Sequence, residues 1–213
     1  MYKKKPFLVV FEGIEGSGKS YHSKKLFKKI RKLRLPSIIT REPSSEKNIG
    51  QIRKILLSGK INKFDIYTDT FLYLASRNEH IKKVLLPALS KKKIVICDRF
   101  SDSTLAYQVR GFGVNEKMIN TAHKIILKNL KVNLTFILKL DVNRSLKRVK
   151  MRKGVNRYDK FSMQFYNKVQ RGFLKISKKN KKRYVVLDSS KKIKLIENII
   201  YDKFKLHYLN DKK

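Results

Sequence analysis

The chain has 213 residues, enough to bury a full hydrophobic core, and we expect residues 1–213 to form one domain. Hydrophobic residues make up 41% of it, which excludes a disordered chain, and no apolar run reaches the roughly 18 residues of a membrane span. The single cysteine, Cys97, excludes a disulfide framework and indicates a reducing compartment, the cytoplasm.

The charge is strongly unbalanced, with 53 Lys and Arg against 16 Asp and Glu and a net charge of +37. Such a balance can indicate a nucleic-acid partner. The lysines are spread over the whole chain, however, and no DNA-binding or RNA-binding motif accompanies them, which favours a solvated, lysine-rich surface. We therefore expect no nucleic acid as the partner. Either interpretation implies an attraction for polyanionic substrates.

Five short apolar runs predict buried strands at Phe7–Phe11, Ser37–Thr40, Ile94–Cys97, Leu134–Leu140 and Tyr184–Leu187. Helical periodicity fills the segments between them. Strands that alternate with helices predict an α/β fold, in which a five-stranded parallel sheet has helices on both faces. Ligands of such folds bind beyond the carboxyl ends of the strands, so we expect the functional residues there.

Two segments between the predicted strands depart from a regular helix. A long helix is predicted from about Asp65 to Leu86, and Pro87 should end or kink it because proline lacks the N–H that a helix interior requires. Residues 150–160 break the helical periodicity and are rich in Arg, Lys and Gly, which predicts a mobile loop there.

The segment from residue 13 to residue 20, GIEGSGKS, follows the first predicted strand and matches the phosphate-binding pattern G-x-x-x-x-G-K-[ST]. Its glycines let backbone N–H groups surround a phosphate, and the next helix directs the positive end of its dipole to the same place. Lys19 can reach the β- and γ-phosphates, and the Ser20 hydroxyl can bind Mg²⁺. The motif predicts a three-layer fold of the P-loop NTPase type with an ATP site formed by Gly13, Ile14, Glu15, Gly16, Ser17, Gly18, Lys19 and Ser20.

The third predicted strand is followed by Asp98 and Arg99. A carboxylate at the end of a second buried strand suits a Mg²⁺–nucleotide site, and the planar guanidinium beside it suits phosphate oxygens. The alternative is that Asp98 only caps the helix that begins near Ser101. The nearby phosphate loop favours the first interpretation, in which Ser20 and Asp98 hold the metal.

The order of the motifs resembles the thymidylate kinase family. The matching blocks include FEGIEGSGKS at 11–20, TREP at 40–43, YLASR at 73–77, DRFSDSTLAYQ at 98–108 and LKRVKMRKGVNRYD at 146–159. The block at 98–108 is much more specific than the phosphate loop alone. The resemblance implies a Mg²⁺-assisted transfer of phosphate from ATP to dTMP, which gives dTDP, and relatives of this kind are commonly homodimers.

The resemblance also implies roles in dTMP binding. Glu15 would accept a hydrogen bond from the deoxyribose 3′-hydroxyl, and Arg53 and Arg99 would hold the phosphate. Tyr73 would stack on thymine, and Arg77, one helical turn later, would bond the base edge. The same pocket would be lined by Ser103, Tyr107 and Gln108. Each of these side chains is also compatible with an ordinary core, surface or helix position.

The glycine loop carries no arginine at its variable positions. In the family that the chain resembles, arginines of a basic lid loop supply the catalytic cation instead. Arg148, Arg152 and Arg157 are the candidates, and we rank Arg157 first. The predicted catalytic residues are Lys19, Arg99, Arg152 and Arg157. The alternative is that the lid arginines are solvent-facing charges.

Two other functions are compatible with the sequence. A deoxynucleoside kinase shares the architecture but needs a carboxylate base near the 5′-hydroxyl of its acceptor, and the pair Arg53 and Arg99 favours a phosphorylated acceptor instead. A P-loop ATPase that acts on nucleic acid would account for the charge of +37. It would need a water-activating carboxylate or a groove that follows a strand, and neither is evident.

Overall fold

The structure is a computed structural model of the chain, and it describes residues 4–44, 46, 49–151, 154 and 156–210. At its centre lies a parallel sheet formed by β1 (Phe7–Glu12), β2 (Ser37–Arg41), β3 (Ile94–Asp98), β4 (Leu134–Lys139) and β5 (Tyr184–Asp188). The spatial order is β2-β3-β1-β4-β5, and every pairing is parallel. The predicted five-stranded parallel sheet is therefore confirmed.

The central and edge strands differ in burial. Every residue of β1 and β3 is buried, because these strands have neighbours on both sides and helices on both faces. The edge strands β2 and β5 are buried only at Ser37 and at Leu187, respectively. The prediction of five buried strands is thus wrong for these two, since an edge strand has one hydrogen-bonded neighbour and its outer side meets solvent.

Helices surround the sheet, and none in the described part of the chain is both long and apolar enough to cross a membrane. Along β1, Phe7, Val9 and Phe11 pack on one side against α1 (Lys19–Lys32) and α9 (Ile193–Asn210). Leu8 and Val10 pack on the opposite side against the helical residues Ile81, Leu85 and Ala88. This alternation produces the three-layer arrangement. The α-helices are α1 (Lys19–Lys32), α2 (Gly50–Leu57), α3 (Ile66–His80), α4 (Leu86–Ser90), α5 (Ser101–Thr104), α6 (Glu116–Leu127), α7 (Val142–Lys150), α8 (Met163–Ser177) and α9 (Ile193–Asn210).

Two stretches of wider π-helix interrupt the regular helices. Ile81–Leu85 joins α3 to α4, and Leu105–Gly111 follows α5. The sequence predicts that Pro87 ends or kinks the long helix. The helical run that begins with α3 continues to residue 90, so the first of these two outcomes is wrong. Pro87 lies in the first turn of α4, where its missing N–H is tolerated, and the π-helix immediately before it is the irregularity that the proline indicated.

The segment predicted to be a mobile loop, residues 150–160, is partly ordered into a helix. Residues 157–160 form a 3₁₀ turn in which the Asn156 side chain accepts from Tyr158 N at 2.9 Å and Asp159 accepts from Asn156 N at 2.8 Å. Residues 152, 153 and 155 lie outside the described residues. Residues 157–160 are thus not irregular, because reciprocal capping and burial of Arg157 and Tyr158 stabilise a turn that has no periodic signal. The mobility of the segment stays a prediction.

Candidate active site

The loop between β1 and α1 is shaped by close packing against its neighbours. Gly13 has a φ of 137° and Gly16 a φ of 69°, conformations in which a side chain is strained. A Cβ on Gly13 would lie 2.5 Å from the carbonyl oxygen of Leu138, and one on Gly16 would lie 2.7 Å from that of Ser145. Both positions therefore require glycine, and the loop is pressed onto the end of β4 and onto α7.

Three side chains hold the carbonyl groups of this loop from outside. Ser145 Oγ donates to the carbonyl of Glu15, while Arg148 and Ser189 donate to the carbonyls of the next two residues at 3.2 and 2.8 Å. This is the arrangement of an anion-binding loop, whose carbonyls bond to the protein while its N–H groups surround the ligand.

Lys19, the first residue of α1, is 6% exposed and lies inside the loop. Its Nζ donates to the carbonyl of Ile14 at 2.7 Å and to Ser17 Oγ at 3.4 Å. Burial, and next the positive charge of Arg99, lower the pKa of Lys19 to about 7. The ammonium group is thus held at the place where phosphate charge would stabilise it.

Parallel pairing of β1 with β3 brings the second motif to the same place. Phe11 pairs with Asp98, and Ser20 Oγ donates to Asp98 Oδ2 at the start of α1. A hydroxyl and a carboxylate oxygen side by side suit Mg²⁺, which takes few protein ligands and keeps water and phosphate oxygens. The residues present therefore fit the predicted metal. The alternative that Asp98 only caps the next helix is wrong, because Phe100 is the N-cap residue of α5 (Ser101–Thr104).

A cleft of about 300 Å³ adjoins the loop. Its walls come from the loop, from α2 and α3, and from the turn and π-helix that follow β3. Each side chain that the sequence predicted for dTMP binding lines this cleft, namely Glu15, Arg53, Tyr73, Arg77, Arg99, Ser103, Tyr107 and Gln108. The structure thus places together residues that come from four separate stretches of the chain.

Arg99 and Glu15 form the centre of the cleft wall beside the loop. Arg99 Nη2 donates to Glu15 Oε1 at 2.8 Å, and Nη1 donates to the carbonyl of Gly13 at 3.1 Å. Tyr107 donates to the other oxygen of Glu15 and lies under the guanidinium, 5.1 Å from ring centroid to Cζ. Burial alone would lower the pKa of Arg99, but Tyr107 and Glu15 raise it well above its ordinary value. Arg99 therefore stays a cation.

Arg53 is the second cation of the cleft. It is half-buried, and its Nη1 donates to the carbonyl of Pro43 at 2.7 Å. Burial, and then repulsion by Arg41, lower the pKa of Arg53 to about 10, so it remains charged at neutral pH. Two fixed cations next to a phosphate loop favour a ligand that carries its own phosphate.

The sequence interpretation missed Glu12, the last residue of β1. Its carboxylate is fully buried and accepts from Phe100 N at 2.8 Å and from Ser103 Oγ at 2.7 Å, which fixes the turn that carries Arg99. Burial, followed by the charge of Asp102, raises the pKa of Glu12 to about 7. The only signal for this residue was its position directly before the glycine loop.

Arg157, ranked first among the lid cations, lies in a different environment from the one predicted. Its side chain is 2% exposed, forms an ion pair with Asp69 of α3, and donates to the carbonyl of Leu56 at 2.5 Å. Its neighbour Tyr158 lines the cleft and meets Tyr73 edge to face, with ring centroids 5.9 Å apart. Arg157 could reach phosphates only by leaving this buried ion pair, so this geometry gives its predicted catalytic role no support.

The other two lid candidates differ from Arg157. Arg148 of α7 reaches the phosphate loop through its bond to the carbonyl of Gly16. Arg152 lies outside the described residues. Of the two lid candidates that the structure describes, Arg148 contacts the phosphate loop and Arg157 does not.

The parallel sheet, the glycine loop between β1 and α1, and the cleft with fixed cations define the class of P-loop nucleotide kinases. A family model described as Thymidylate kinase matches residues 11–200. The chain therefore belongs to the thymidylate kinase family, whose members are nucleoside monophosphate kinases.

Similar proteins support this assignment over most of the chain. It is 39% identical to a thymidylate kinase of Aster yellows witches'-broom phytoplasma, a match that covers 92% of this chain and 96% of the relative. It is 40% identical to a thymidylate kinase of Wolbachia pipientis wMel, with 92% and 98% covered. The crystal structure of thymidylate kinase from Ehrlichia chaffeensis superposes with a TM-score of 0.78 at 28% identity, covering 94% and 99% of the two chains.

The buried ion pair of Arg157 generates a prediction about stability. Asp69→Ala leaves the Arg157 guanidinium buried without its carboxylate, so we expect the free energy of unfolding to fall by about 3–5 kcal/mol. Glu79→Ala removes the exposed ion pair with Lys83 on the same helical run and should change it little. Urea unfolding followed by circular dichroism measures both variants. Equal midpoints would contradict a stabilising role for the Arg157–Asp69 pair.

Proposed function

We propose that the protein transfers the γ-phosphate of ATP in line to dTMP, with Mg²⁺, and so produces ADP and dTDP. The observation that carries the proposal is the position of Arg53 and Arg99 in one cleft beside the phosphate loop. A phosphate held by these two guanidinium groups would lie next to the γ-phosphate held by Lys19. Membership of the thymidylate kinase family supports the choice of dTMP over other phosphorylated acceptors.

The acceptor would fill the cleft in one orientation. Its phosphate would bind Arg53 and Arg99, and its 3′-hydroxyl would donate to the Glu15 carboxylate. Tyr73 would stack on the pyrimidine, and Arg77 would donate to the base edge. The remaining wall would be formed by Ser103, Tyr107 and Gln108.

Alignment and charge stabilisation would account for catalysis. The second proton of a phosphate monoester is lost near pH ~6, so the attacking oxygen of dTMP is largely anionic at pH ~7 and needs no strong base. That oxygen forms a bond to the γ-phosphorus while the bond to the β–γ bridging oxygen breaks, and ADP leaves. Lys19 would hold the donor, and Arg99 would offset the repulsion between the two phosphates. Bound Mg²⁺, held by Ser20 and by Asp98 partly through water, would neutralise phosphate charge.

The acceptor can be identified by one assay. ADP release would be measured with dTMP, dUMP, thymidine or single-stranded DNA offered separately to the same preparation. We expect dTMP to give the highest kcat/KM and thymidine and DNA to give no stimulation. Turnover of thymidine would favour a deoxynucleoside kinase, and stimulation by DNA alone would favour a nucleic-acid-dependent ATPase.

The lowered pKa of Lys19 generates a prediction about proton uptake. With a pKa of about 7 in the free protein, Lys19 is mostly neutral at pH ~8.5, and phosphate anions should return its pKa towards the ordinary value of about 10.4. At pH ~8.5 Lys19 should therefore take up close to one proton when ATP binds. At pH ~6 Lys19 is already charged, and the partly protonated γ-phosphate should instead release protons.

Calorimetry in two buffers of different ionisation enthalpy measures this uptake. Lys19→Arg is the matched control, because a guanidinium is charged at both pH values and should show no uptake. Equal uptake by the wild type at both pH values would contradict the proposed contact between Lys19 and the donor phosphates.

We propose that Arg148 is the lid cation that acts on the transferred phosphate. To do so it must leave the carbonyl of Gly16, and this exposed hydrogen bond is weaker than the buried ion pair that holds Arg157. Arg148→Ala should lower kcat by ~10²-fold and leave KM for dTMP almost unchanged. Arg157→Ala should instead lower thermal stability through loss of the pair with Asp69. Steady-state kinetics with parallel melting curves separate the two, and a large loss of kcat only in the folded Arg157 variant would reverse the assignment.

We also propose that the protein forms a homodimer through α3. Phe71 is 55% exposed, and Ala75 lies exposed one helical turn later on the same face. Sedimentation velocity should give a dimer for the wild type and a monomer for Phe71→Asp. A wild-type monomer at micromolar concentration would exclude this assembly.

A further inference from the structure

Arg77 of α3 is held by four residues, which come from three parts of the chain. Its Nε donates to Glu42 Oε2 at 2.8 Å, and its Nη1 donates both to Thr104 Oγ1 at 2.7 Å and to His123 Nε2 at 3.0 Å. Its Nη2 donates to the carbonyl of Phe100 at 3.0 Å. A guanidinium has five N–H groups, so among the described residues these contacts use four and leave one N–H, on Nη2.

The contact with His123 fixes the protonation of that imidazole ring. A guanidinium can only donate, so Nε2 of His123 must accept and the ring proton must lie on Nδ1. Burial, and next the charge of Arg77, lower the pKa of His123 to about 3, so the ring is neutral at any pH used for assay. The histidine is therefore a fixed neutral acceptor on α6.

Arg77 lines the cleft, whereas His123 does not belong to the described residues that form its walls. His123 contributes the one bond that reaches Arg77 from α6, whereas the other partners lie on the segments after β2 and β3. Glu42, which holds the opposite side of the guanidinium, is itself fixed by His80 Nδ1 at 3.0 Å. Loss of the His123 bond would leave a buried N–H unpaired and would remove the one contact that restrains the guanidinium from the side of α6.

We propose that His123 is a positioning residue that orients Arg77 through its Nε2 lone pair, so that the one remaining N–H of Arg77 faces the pyrimidine edge of the acceptor. This inference rests on the proposed function, in which the acceptor is dTMP. His123 does not contact the substrate. It sets the affinity for dTMP by fixing the direction of the Arg77 N–H that would contact the pyrimidine.

Three variants test this role. His123→Leu removes the acceptor, while His123→Gln places a carboxamide oxygen within reach of the same guanidinium. Ile119→Val is the matched control, because Ile119 is fully buried one turn earlier on α6 and makes no hydrogen bond to Arg77. We expect His123→Leu to raise KM for dTMP about tenfold, the equivalent of one hydrogen bond to a charged group, with kcat and KM for ATP within about twofold.

The expected pattern for the other two variants follows from the same contact. His123→Gln should recover most of the loss, to within about threefold of the wild-type KM for dTMP, and Ile119→Val should lower the melting temperature without changing that KM. An unchanged KM in His123→Leu, or an equal KM in the leucine and glutamine variants, would overturn the proposal.

A measurement on the wild type covers the case in which His123→Leu does not fold. The ¹⁵N chemical shifts of His123 should show an unprotonated Nε2 and a protonated Nδ1 from pH ~8 down to pH ~5. A proton on Nε2 would overturn the proposal. Failure of the wild type to phosphorylate dTMP would instead overturn the proposed function, and the chemical shifts would still decide whether His123 orients Arg77.

Discussion

Parallel pairing between β1 and β3 is the constraint on which the site depends. Because the two strands are neighbours and run in the same direction, their carboxyl ends meet, and the register sets Phe11 opposite Asp98. The phosphate loop leaves the end of β1, while Asp98 and Arg99 leave the end of β3. Glu12 then ties the two ends together, because its buried carboxylate bonds the turn after β3.

Two of the arginines in the cleft are oriented by carboxylates. Arg99 is paired with Glu15, and Arg77 with Glu42, so each guanidinium presents a fixed edge to the cleft. The oriented guanidinium groups of the site therefore differ from the general positive charge of the chain, which comes from lysines spread over its length. The surface charge can attract nucleotides at long range, but specificity requires the fixed geometry of the cleft.

The sequence was sufficient to predict most of the sheet and the composition of the cleft. Each strand begins at the predicted residue and ends within one residue of the predicted end, because all five strands, the exposed edge strands included, carry short apolar runs. The cleft residues could be named because their motifs are local blocks such as YLASR and DRFSDSTLAYQ.

Most of the errors concern contacts between distant parts of the chain. Arg157 pairs with Asp69, 88 positions earlier, and His123 bonds Arg77, 46 positions earlier. Periodicity and local motifs report neighbours within one helix or strand, so neither contact left a signal. The exposure of β2 and β5 was missed for the same reason, since the position of a strand within the sheet depends on the whole topology.

The most direct test of the account is a crystal structure with dTMP, Mg²⁺ and a non-hydrolysable ATP analogue. It should show the dTMP phosphate bonded to both Arg53 and Arg99, with the 3′-hydroxyl on Glu15 and Lys19 moved from the carbonyl of Ile14 to the γ-phosphate. A dTMP phosphate bound away from Arg99, with Lys19 still bonded to Ile14, would contradict the account.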